Sequence, residues 1–430
     1  MSRTVANGGS TGGQPSSVEI QATGTGVRRG EILVPTQIGV ATYGLLGCAA
    51  APLVAGSLQR KSCEVRLAPV PRCDDPLADT DAILHLAICG QQDGGTVAIA
   101  AAAAPEDKLS AALSRTAVEE WAAVVGTRMV LVAGTPWCGG ALRAAKICTE
   151  AATEHAGRGG AVLMLGPATL PPETVDELVR LGAVPVTSLA EAQPGDVVVF
   201  PAHGVPTEVK VEAAERGLTI VDATCPLVAD AQETASRLAQ RNQHVVLIGK
   251  PSAAAAGPVA SRAAGHVTVV ETPAGTTSMQ VRDAHRVSYM LQPGMPIEAA
   301  ASVVTALRSR YPTVKGPQTV GLCYAASDRA AAVHSVAAGS DVLFVLGHEN
   351  SADARQLCAQ ARADGARVQV IGAVSDITPA MLTGVTTVGL AESTSARAGL
   401  AGEVTAAIGG LGPLSVARRQ VSTEVPGSVR

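Results

Sequence analysis

Aromatic residues and charged residues are both scarce in this chain of 430 residues, and each shortage excludes a class of function. The sequence has 2 Phe, 4 Tyr and 2 Trp, too few to build base-stacking platforms for nucleic acids. It has 33 Lys and Arg against 37 Asp and Glu, and a net charge of -4 provides no field that would attract nucleic acid or a membrane surface. The sequence therefore favours a small-molecule function.

Long apolar runs and nucleotide-binding motifs are also missing. No run approaches the roughly 20 apolar residues that span a bilayer. The start, MSRTVANGGSTGGQPSS, has no apolar signal core, so residues 1–30 are predicted to form a disordered Gly/Ser tail of a cytoplasmic protein. No Walker A motif occurs, and Gly24-Thr25-Gly26 lies in that tail with no strand before it. The sequence thus predicts no NAD or flavin site.

What the chain does contain is a regular alternation of strands and helices. Hydrophobic residues make up 47% of it, enough for a large core of Ala, Val, Leu and Ile. From Met129 onward, β-branched runs alternate with Gly- or Pro-containing loops and alanine-rich stretches, which predicts an α/β fold with mostly parallel sheets. The predicted strands are MVLVAG, AVLML, DVVVFPAHG, LTIVDATCP, HVVLIGKP, VSYMLQPG, DVLFVLGHENS, RVQVIG and TTVGLAES. In residues 31–127, short apolar runs are broken by turn residues, which predicts an extra N-terminal α/β domain.

Nine cysteines in a chain without a secretory signal indicate metal binding or chemistry rather than a disulfide framework. Three of them, Cys138, Cys225 and Cys323, lie in loops that follow predicted strands, where α/β proteins bind ligands. The other six are interpreted as packing residues: Cys48, Cys63, Cys73, Cys89, Cys148 and Cys358.

Three thiolates from separate loops can hold a zinc ion with a fourth ligand, or three irons of a [4Fe-4S] cluster with the fourth iron open. The local sequence favours the cluster, because no cysteine has a partner at C-x-x-H or C-x-x-C spacing. Gly139-Gly140 and a predicted helix follow Cys138, so backbone N–H groups can point at an anion, and Pro226 fixes the turn after Cys225. Three buried structural cysteines are the alternative.

Five separated motifs carry a family resemblance: AHGVP, DATCPLV, GLCYAASDR, GHENSAD and AESTSAR. In this order they resemble the 4-hydroxy-3-methylbut-2-enyl diphosphate reductase family of the LytB type, from about Met129 to about Gly410. The resemblance implies three pseudo-repeated α/β domains around a central cluster site within residues 128–410. Their approximate ranges are 128–200, 201–315 and 316–410, followed by a C-terminal tail over 411–430.

The resemblance also implies a chemistry. Cys138, Cys225 and Cys323 would hold a [4Fe-4S] cluster whose open iron binds the substrate's hydroxyl group. Two electrons and two protons would then remove that hydroxyl as water in isoprenoid precursor synthesis. Since no NAD or flavin site is predicted, the electrons would come from a carrier such as ferredoxin or flavodoxin.

Three further residues match positions that bind the family's anionic substrate. His203 resembles a histidine that hydrogen-bonds the substrate's diphosphate, and Ser351 and Ser395 match serines that do the same. For His203 the alternative is an imidazole that caps a turn. For the two serines the alternative is a helix N-cap, which does not exclude binding.

The chain departs from the family pattern around the substrate. Leu170 stands where the family has a His, and Pro293 stands where it has a Thr. Alanines around Ala253 and Ala255 replace a second His and the proton-donating acid. Ala352-Asp353 replaces two residues of the S-S-N triplet. Because that acid is absent, no catalytic residue is assigned. A divergent reductase acting on this or a changed substrate is the first hypothesis. A catalytically silent iron-sulfur binding or redox-sensing protein is the second, and a zinc-binding or metal-free relic is the third.

Overall fold

The computed structural model describes residues 17–40, 43–73, 81–90, 96–155, 159–166, 170–317 and 322–423. The chain divides into two compact units. Unit 1 is Met1–Ala133 with Ser335–Arg419, and unit 2 is Gly134–His334 with Gln420–Arg430. Across these described ranges, no helix combines the length and the apolar character that crossing a bilayer requires.

Strands and helices alternate along most of the chain. The strands are β1 (Val18–Thr23), β2 (Glu31–Val40), β3 (Gly44–Gly47), β4 (Glu64–Cys73), β5 (Ala82–Gly90), β6 (Thr96–Ala103), β7 (Arg128–Ala133), β8 (Val162–Leu165), β9 (Ala183–Val186), β10 (Val197–Phe200), β11 (Thr219–Asp222), β12 (His244–Ile248), β13 (Val267–Val270), β14 (Val287–Leu291), β15 (Val342–Leu346), β16 (Val368–Ile371), β17 (Thr387–Glu392) and β18 (Leu414–Arg419).

The α-helices follow the same order. They are α1 (Ala51–Gln59), α2 (Lys108–Ala122), α3 (Gly139–His155), α4 (Pro172–Arg180), α5 (Thr207–Glu215), α6 (Pro226–Gln240), α7 (Ala256–Ser261), α8 (Pro273–Ser278), α9 (Ala301–Arg310), α10 (Ala325–Ala338), α11 (Ala352–Ala363), α12 (Pro379–Leu382) and α13 (Leu400–Gly409).

The N-terminal strands form a mixed sheet in unit 1. Its order is β3-β2-β4-β1-β5-β6, with one parallel pair, β2 and β4, among antiparallel ones. An additional antiparallel pairing of β2 with β6 joins five strands into a closed ring. The alanine-rich β6 is buried after its first residue, and α2 packs against it. Trp121 of α2 is fully buried and donates a hydrogen bond to Ser57 Oγ at 2.9 Å.

Three parallel sheets follow from Arg128 onward. Unit 1 contains the sheet β16-β15-β17-β7-β18, and unit 2 contains β11-β10-β8-β9 and β13-β12-β14. Every residue of β10 and of β15 is buried, as expected for strands covered on both faces. The nine predicted strands are all present, and the predicted α/β class with mostly parallel sheets is confirmed.

The structure differs from the sequence expectation at both ends. Strand β1 lies inside the segment predicted as a tail over 1–30, and it pairs with β4 and β5. The Asp81 carboxylate accepts the backbone N–H groups of Thr25 and Gly26 and extends this ordered segment. Strand β18 lies inside the predicted tail over 411–430 and pairs with β7. Both predictions were too long because backbone pairing orders segments whose composition is polar.

The predicted boundaries between subdomains also shift. Strand β7 opens the segment predicted as 128–200, but it pairs with β17 and β18. Strand β11 lies in the segment predicted as 201–315, but it belongs to the sheet of β8, β9 and β10. Strands β9, β13 and β18 were not predicted; two of them are edge strands of four residues and the third is the edge strand at the C-terminal end. Edge strands carry a weaker apolar pattern, because one side faces solvent.

Candidate functional site

The three thiols singled out in the sequence each stand at the beginning of a helix in unit 2. Cys138 directly precedes α3, and its Sγ accepts the backbone N–H of Ala141 at 3.4 Å. Cys225 is the N-cap residue of α6, with Pro226 in the first turn as predicted. Cys323 lies two residues before α10. Helix N-termini present N–H groups and a positive dipole end, which favour sulfur in its anionic form.

Cys138 and Cys225 meet at one glycine. A Cβ atom placed on Gly140 would lie 2.8 Å from Sγ of Cys225 and 3.7 Å from Sγ of Cys138. Real Cβ atoms essentially never approach a neighbour as closely as 2.8 Å, so with any larger residue at position 140 either the Cys225 thiol or the start of α3 must shift. The loop sequence Cys138-Gly139-Gly140 therefore has a steric reason for its second glycine.

Cys323 completes the group. Burial raises the pKa of its thiol, backbone N–H groups of Ala325 and Gly294 oppose that rise, and the neighbouring thiols of Cys138 and Cys225 add to it. Cys323 therefore interacts electrostatically with both other thiols. All three cysteines are half-buried, so the group is reachable from outside unit 2.

The spacing of these side chains differs from that of a single-ion site. Among the described residues, no three His, Cys, Asp or Glu side chains surround a point where one metal ion could bind. A zinc ion holds its thiolates at about 2.3 Å, whereas the three thiolates of a cubane bind three different irons. Thiolates are ligands of both zinc ions and iron-sulfur clusters, and Gly140 leaves room beside two of the three sulfurs.

His203 lies in the loop after β10, as the sequence predicted. Its Nδ1 is buried and has no hydrogen-bond partner, and burial lowers the pKa of its ring. The same loop contacts a thiol-bearing loop, because the backbone N–H of Cys225 donates to the Ala202 carbonyl at 2.9 Å. A buried nitrogen without a partner is rare in folded proteins and fits a position that receives a polar ligand.

Gln232 is a site residue that the sequence reasoning missed. It is 6% exposed, and its Nε2 has no hydrogen-bond partner. A Cβ on Gly204, which has a positive φ of 71°, would lie 2.5 Å from that nitrogen, so the amide lies against the loop of His203. The available signal was helical spacing, because Gln232 follows Cys225 by two turns on α6. Gln292, in the loop after β14, likewise has a buried Oε1 without a partner.

The two predicted serines lie in unit 1, after β15 and β17. Ser351 is the N-cap of α11, and its hydroxyl accepts the backbone N–H of Ala354 at 3.4 Å, so the capping alternative is confirmed. Ser395 Oγ accepts the backbone N–H of His348 at 3.0 Å and lies 2.8 Å from Oγ of Ser393. These contacts collect hydroxyl groups at the carboxyl ends of two neighbouring strands.

Asp353 stands where the family has an amide, and it links two of the loops that carry these hydroxyl groups. Its Oδ2 accepts the backbone N–H of Thr394 at 2.7 Å and so joins the start of α11 to the loop that carries Ser395. The carboxylate has a structural partner, which explains how an acid is accommodated at this position.

The other departures from the family pattern are apolar residues that are buried or half-buried. Leu170 is 5% exposed and packs in the core of α3, α4 and β10, and Ala255 is 1% exposed. Pro293 is buried and Ala253 is half-buried. None of these four side chains can donate a hydrogen bond to an anion.

All nine cysteines are free thiols, and the remaining six differ in burial. Burial raises the pKa of Cys148 to about 11 and is the main cause that raises the pKa of Cys48 to about 12. Cys73 and Cys358 are also buried, whereas Cys63 and Cys89 are half-buried. The interpretation as packing residues therefore fits four of the six best.

Comparisons with known proteins identify the family. A family model described as LytB protein matches residues 129–409. The chain is 37% identical over 254 residues to 4-hydroxy-3-methylbut-2-enyl diphosphate reductase 2 of Mycobacterium bovis, covering 58% of this chain and 77% of that protein. It is also 37% identical over 235 residues to the 4-hydroxy-3-methylbut-2-enyl diphosphate reductase of Cereibacter sphaeroides, covering 54% and 74%.

Solved structures show the same fold. The E-1-hydroxy-2-methyl-but-2-enyl-4-diphosphate reductase of Plasmodium falciparum matches with a TM-score of 0.60 at 18% identity, covering 71% of this chain and 96% of that one. A structure of (E)-4-hydroxy-3-methyl-but-2-enyl diphosphate reductase matches with a TM-score of 0.52 at 26% identity, covering 66% and 99%. Because the family model matches more than half of the chain, and its relatives are matched over about three quarters of their length, the chain belongs to the LytB family.

Proposed function

We propose that the chain is an iron-sulfur reductase that removes an allylic hydroxyl group as water from an anionic substrate. The observation that carries the proposal is the meeting of Cys138 and Cys225 at Gly140, with Cys323 under the influence of both thiols. The relatives are named as reductases of a diphosphate, which supports an oxidoreductase role in isoprenoid synthesis.

In this proposal Cys138, Cys225 and Cys323 hold a [4Fe-4S] cluster. Such a cluster, when bound, supplies electrons and one iron without a protein ligand. The chain's own contribution is electrostatic. The N–H of Ala141 donates to Cys138, and the N–H groups of Ala325 and Gly294 donate to Cys323, so these donors stabilise negative charge on sulfur. Loss of the hydroxyl group as water consumes two electrons and two protons.

The proposed substrate contacts are those that the family resemblance implies. His203, Ser351 and Ser395 would hydrogen-bond the anionic group of the substrate. The lowered pKa of His203 keeps its ring neutral near pH 7, with one nitrogen as donor and one as acceptor. Each hydrogen bond to a charged group contributes about 1.5–3 kcal/mol. Gln232 adds an unpartnered amide nitrogen to the same side of unit 2.

The electrons would come from a separate carrier protein, a ferredoxin or a flavodoxin, since the sequence contains no nucleotide or flavin motif. This arrangement is typical of a cytoplasmic enzyme, and the cytoplasm is the proposed location. No proton donor is assigned, because the acid of the family pattern is replaced by alanine in the stretch around Ala255.

One observation favours a second function, a catalytically silent iron-sulfur or redox-sensing protein. Leu170 and Ala255 are buried apolar residues at positions where the family resemblance implies groups that bind the anion or donate a proton. A general acid typically contributes about 10²–10⁴ in rate, so its loss slows any reduction of the diphosphate. The two functions share the cluster and differ in turnover.

The first experiment tests the cluster. The full chain, purified without oxygen, should contain iron and sulfide and absorb visible light broadly through sulfur-to-iron charge transfer. Replacement of Cys138, Cys225 or Cys323 by Ala should abolish most of the bound iron. Cys148→Ala is the matched control, because Cys148 lies on α3 beyond Cys138 and should leave the iron content unchanged. Zinc in place of iron, or full iron content in the Cys225→Ala protein, would contradict the proposal.

The second experiment separates the two functions. The loaded protein is mixed with 4-hydroxy-3-methylbut-2-enyl diphosphate and a chemical reductant, and the products are separated by chromatography. Formation of dehydroxylated diphosphates supports the reductase. A cluster that is reduced without consuming the substrate supports the silent protein.

A further inference from the structure

A groove of unit 2 runs beside Cys323, one of the proposed cluster ligands. It measures about 690 Å³ and lies between α6 and the edge strand β14. Met290, Leu291 and Met295 supply apolar lining, and Cys323 lies at its wall. Because Cys323 is one of the three grouped thiols, the groove gives access from the surface of unit 2 to the thiol group.

The rim of the groove is positively charged. Arg237, Arg241 and Lys315 line it, against a single acidic residue, Asp230. All four side chains are exposed. Within the described part of the chain, none of the three cations takes part in an ion pair. Unpaired cations therefore concentrate at this rim of a chain whose net charge is -4.

Arg237 lies in the last turn of α6, and Arg241 is the C-cap residue of the same helix. Positions 230, 234, 237 and 241 recur at helical spacing, and Arg237 donates a hydrogen bond to Thr234 Oγ1 at 2.8 Å. Cations near a helix C-terminus also interact favourably with its dipole, which accounts for Arg237 and Arg241 without any partner. Helix stabilisation does not account for Lys315, which lies in a separate segment that forms an isolated bridge with Ser288 of β14.

We propose that this cationic groove is the docking surface for an acidic one-electron carrier protein. The inference rests on the proposed function, which requires an external electron donor. Two features select a protein as the occupant. The cations are exposed on a rim, where charges steer association, and Arg237 and Arg241 are spaced by about 6 Å along the helix axis, so they are spread along a surface. The groove is also continuous with the wall that contains Cys323.

The electron balance sets the stoichiometry of docking. Each reduced carrier loses one electron to the loaded protein and leaves oxidised. Two such encounters, with two protons from solvent, are needed for each hydroxyl group that leaves as water. Docking must therefore be repeated and brief, which suits exposed charges that act mainly on the association rate.

The test uses charge reversal with a matched control. The groove variant carries Arg237→Glu, Arg241→Glu and Lys315→Glu. The control variant carries Arg262→Glu, Arg282→Glu and Arg308→Glu, three exposed arginines of unit 2 that do not line the groove and make the same change in net charge. The probe is a plant-type [2Fe-2S] ferredoxin. Its binding is measured by calorimetry at low and at high salt, and reduction of the loaded protein is followed by bleaching of the visible band.

The groove variant should bind ferredoxin at least about tenfold more weakly at low salt and lose the salt dependence, whereas the control variant should bind like the wild type. Dithionite should bleach all three proteins equally fast. Equal loss in both triple variants, or no loss in the groove variant, would overturn the proposal. Binding of inorganic pyrophosphate that only the groove variant loses, with ferredoxin binding intact, would also overturn it and assign the groove to a small anion.

The result of the calorimetric binding measurement does not depend on the proposed function. A protein that binds ferredoxin through the groove but contains no iron refutes the proposed cluster and leaves the docking surface standing. A loaded, active reductase that ignores the groove reversals refutes the docking surface alone.

Discussion

The loops that carry the three thiols contrast with the loops that depart from the LytB pattern. The thiols are half-buried, stand at helix starts and accept backbone N–H groups, as Cys138 and Cys323 do. At the altered positions, Leu170 is 5% exposed within an apolar core and Ala255 is 1% exposed. One set of loops preserves groups that can hold charge, and the other has exchanged such groups for core packing.

In the proposed site, the residues that would hold the cluster and those that would bind the substrate thus differ in how far they depart from the family pattern. Thiols that share one inorganic centre constrain one another, since moving one of them disrupts the binding of the others. Donors to an anionic substrate act more independently, and each contributes about 1.5–3 kcal/mol. Single donors can therefore be lost while the thiol group persists, which is the pattern that the chain displays.

The largest expected effect comes from Gly140→Ala, which tests whether the thiol loops form one tightly fitted centre. The new Cβ would lie 2.8 Å from Sγ of Cys225, so that thiol or the start of α3 must move. We expect most of the bound iron and of the visible absorbance to be lost, measured by iron analysis on anaerobically purified protein.

Gly139→Ala is the control for this prediction. A Cβ at position 139 meets no heavy atom within 4 Å, and alanine favours the helix that begins there. Its iron content should equal that of the wild type. Equal iron in the two variants would show that the thiols do not depend on their close approach to Gly140.

The next effect tests whether an altered position is now part of the core. Leu170→Ala should lower the free energy of unfolding by about 2–5 kcal/mol, because its side chain is 5% exposed within the apolar core of unit 2. Leu181→Ala, at a position 43% exposed, should change it by less than about 0.5 kcal/mol. Urea unfolding followed by circular dichroism measures both. Equal small losses would mean that position 170 is not a packing position.

Much of this arrangement is readable from the sequence, for physical reasons that differ between elements. Buried parallel strands such as β10 and β15 are continuous apolar runs, so their positions and the loops after them are evident. The loops of Cys138, Cys225 and His203 follow from that reading. Strand β1 is not evident, since it is held by pairing with β4 and β5 rather than by its own polar sequence.

The parts that escaped sequence reasoning depend on contacts between distant segments. Gln232 lies on α6 against the loop of Gly204, and Asp353 accepts the backbone N–H of Thr394, which lies 41 residues further along the chain. The sequence showed Asp353 as the loss of an amide. Its acceptance of a backbone N–H from another loop is a tertiary fact that no local pattern contains.

A smaller effect is expected at Asp353. Unlike Leu170 and Ala255, this altered residue is charged. Asp353→Ala removes the acceptor of the Thr394 N–H and should cost about 1.5–3 kcal/mol. The loss should appear as faster amide hydrogen exchange at residues 393–395. Glu349→Ala, an exposed acid in the preceding loop, should leave that exchange unchanged. Unchanged exchange in the Asp353→Ala protein would remove its structural role.

The smallest effect is expected at His203, whose loop contacts the loop of Cys225. Burial lowers the pKa of its ring in the folded chain, whereas the unfolded chain keeps the ordinary value of about 6.5. As the pH falls below that value, the unfolded chain binds a proton that the folded chain does not, so stability falls until the folded pKa is reached. His203→Gln should therefore lose less stability than the wild type between about pH 7 and pH 5, measured by urea unfolding.

His85 and His244, whose pKa values are also lowered mainly by burial, preserve part of the pH dependence in both proteins. His285→Gln, at an exposed position, should follow the wild type. If His203→Gln also follows it, the ring of His203 is already open to solvent and its unpartnered Nδ1 is no mark of a ligand position.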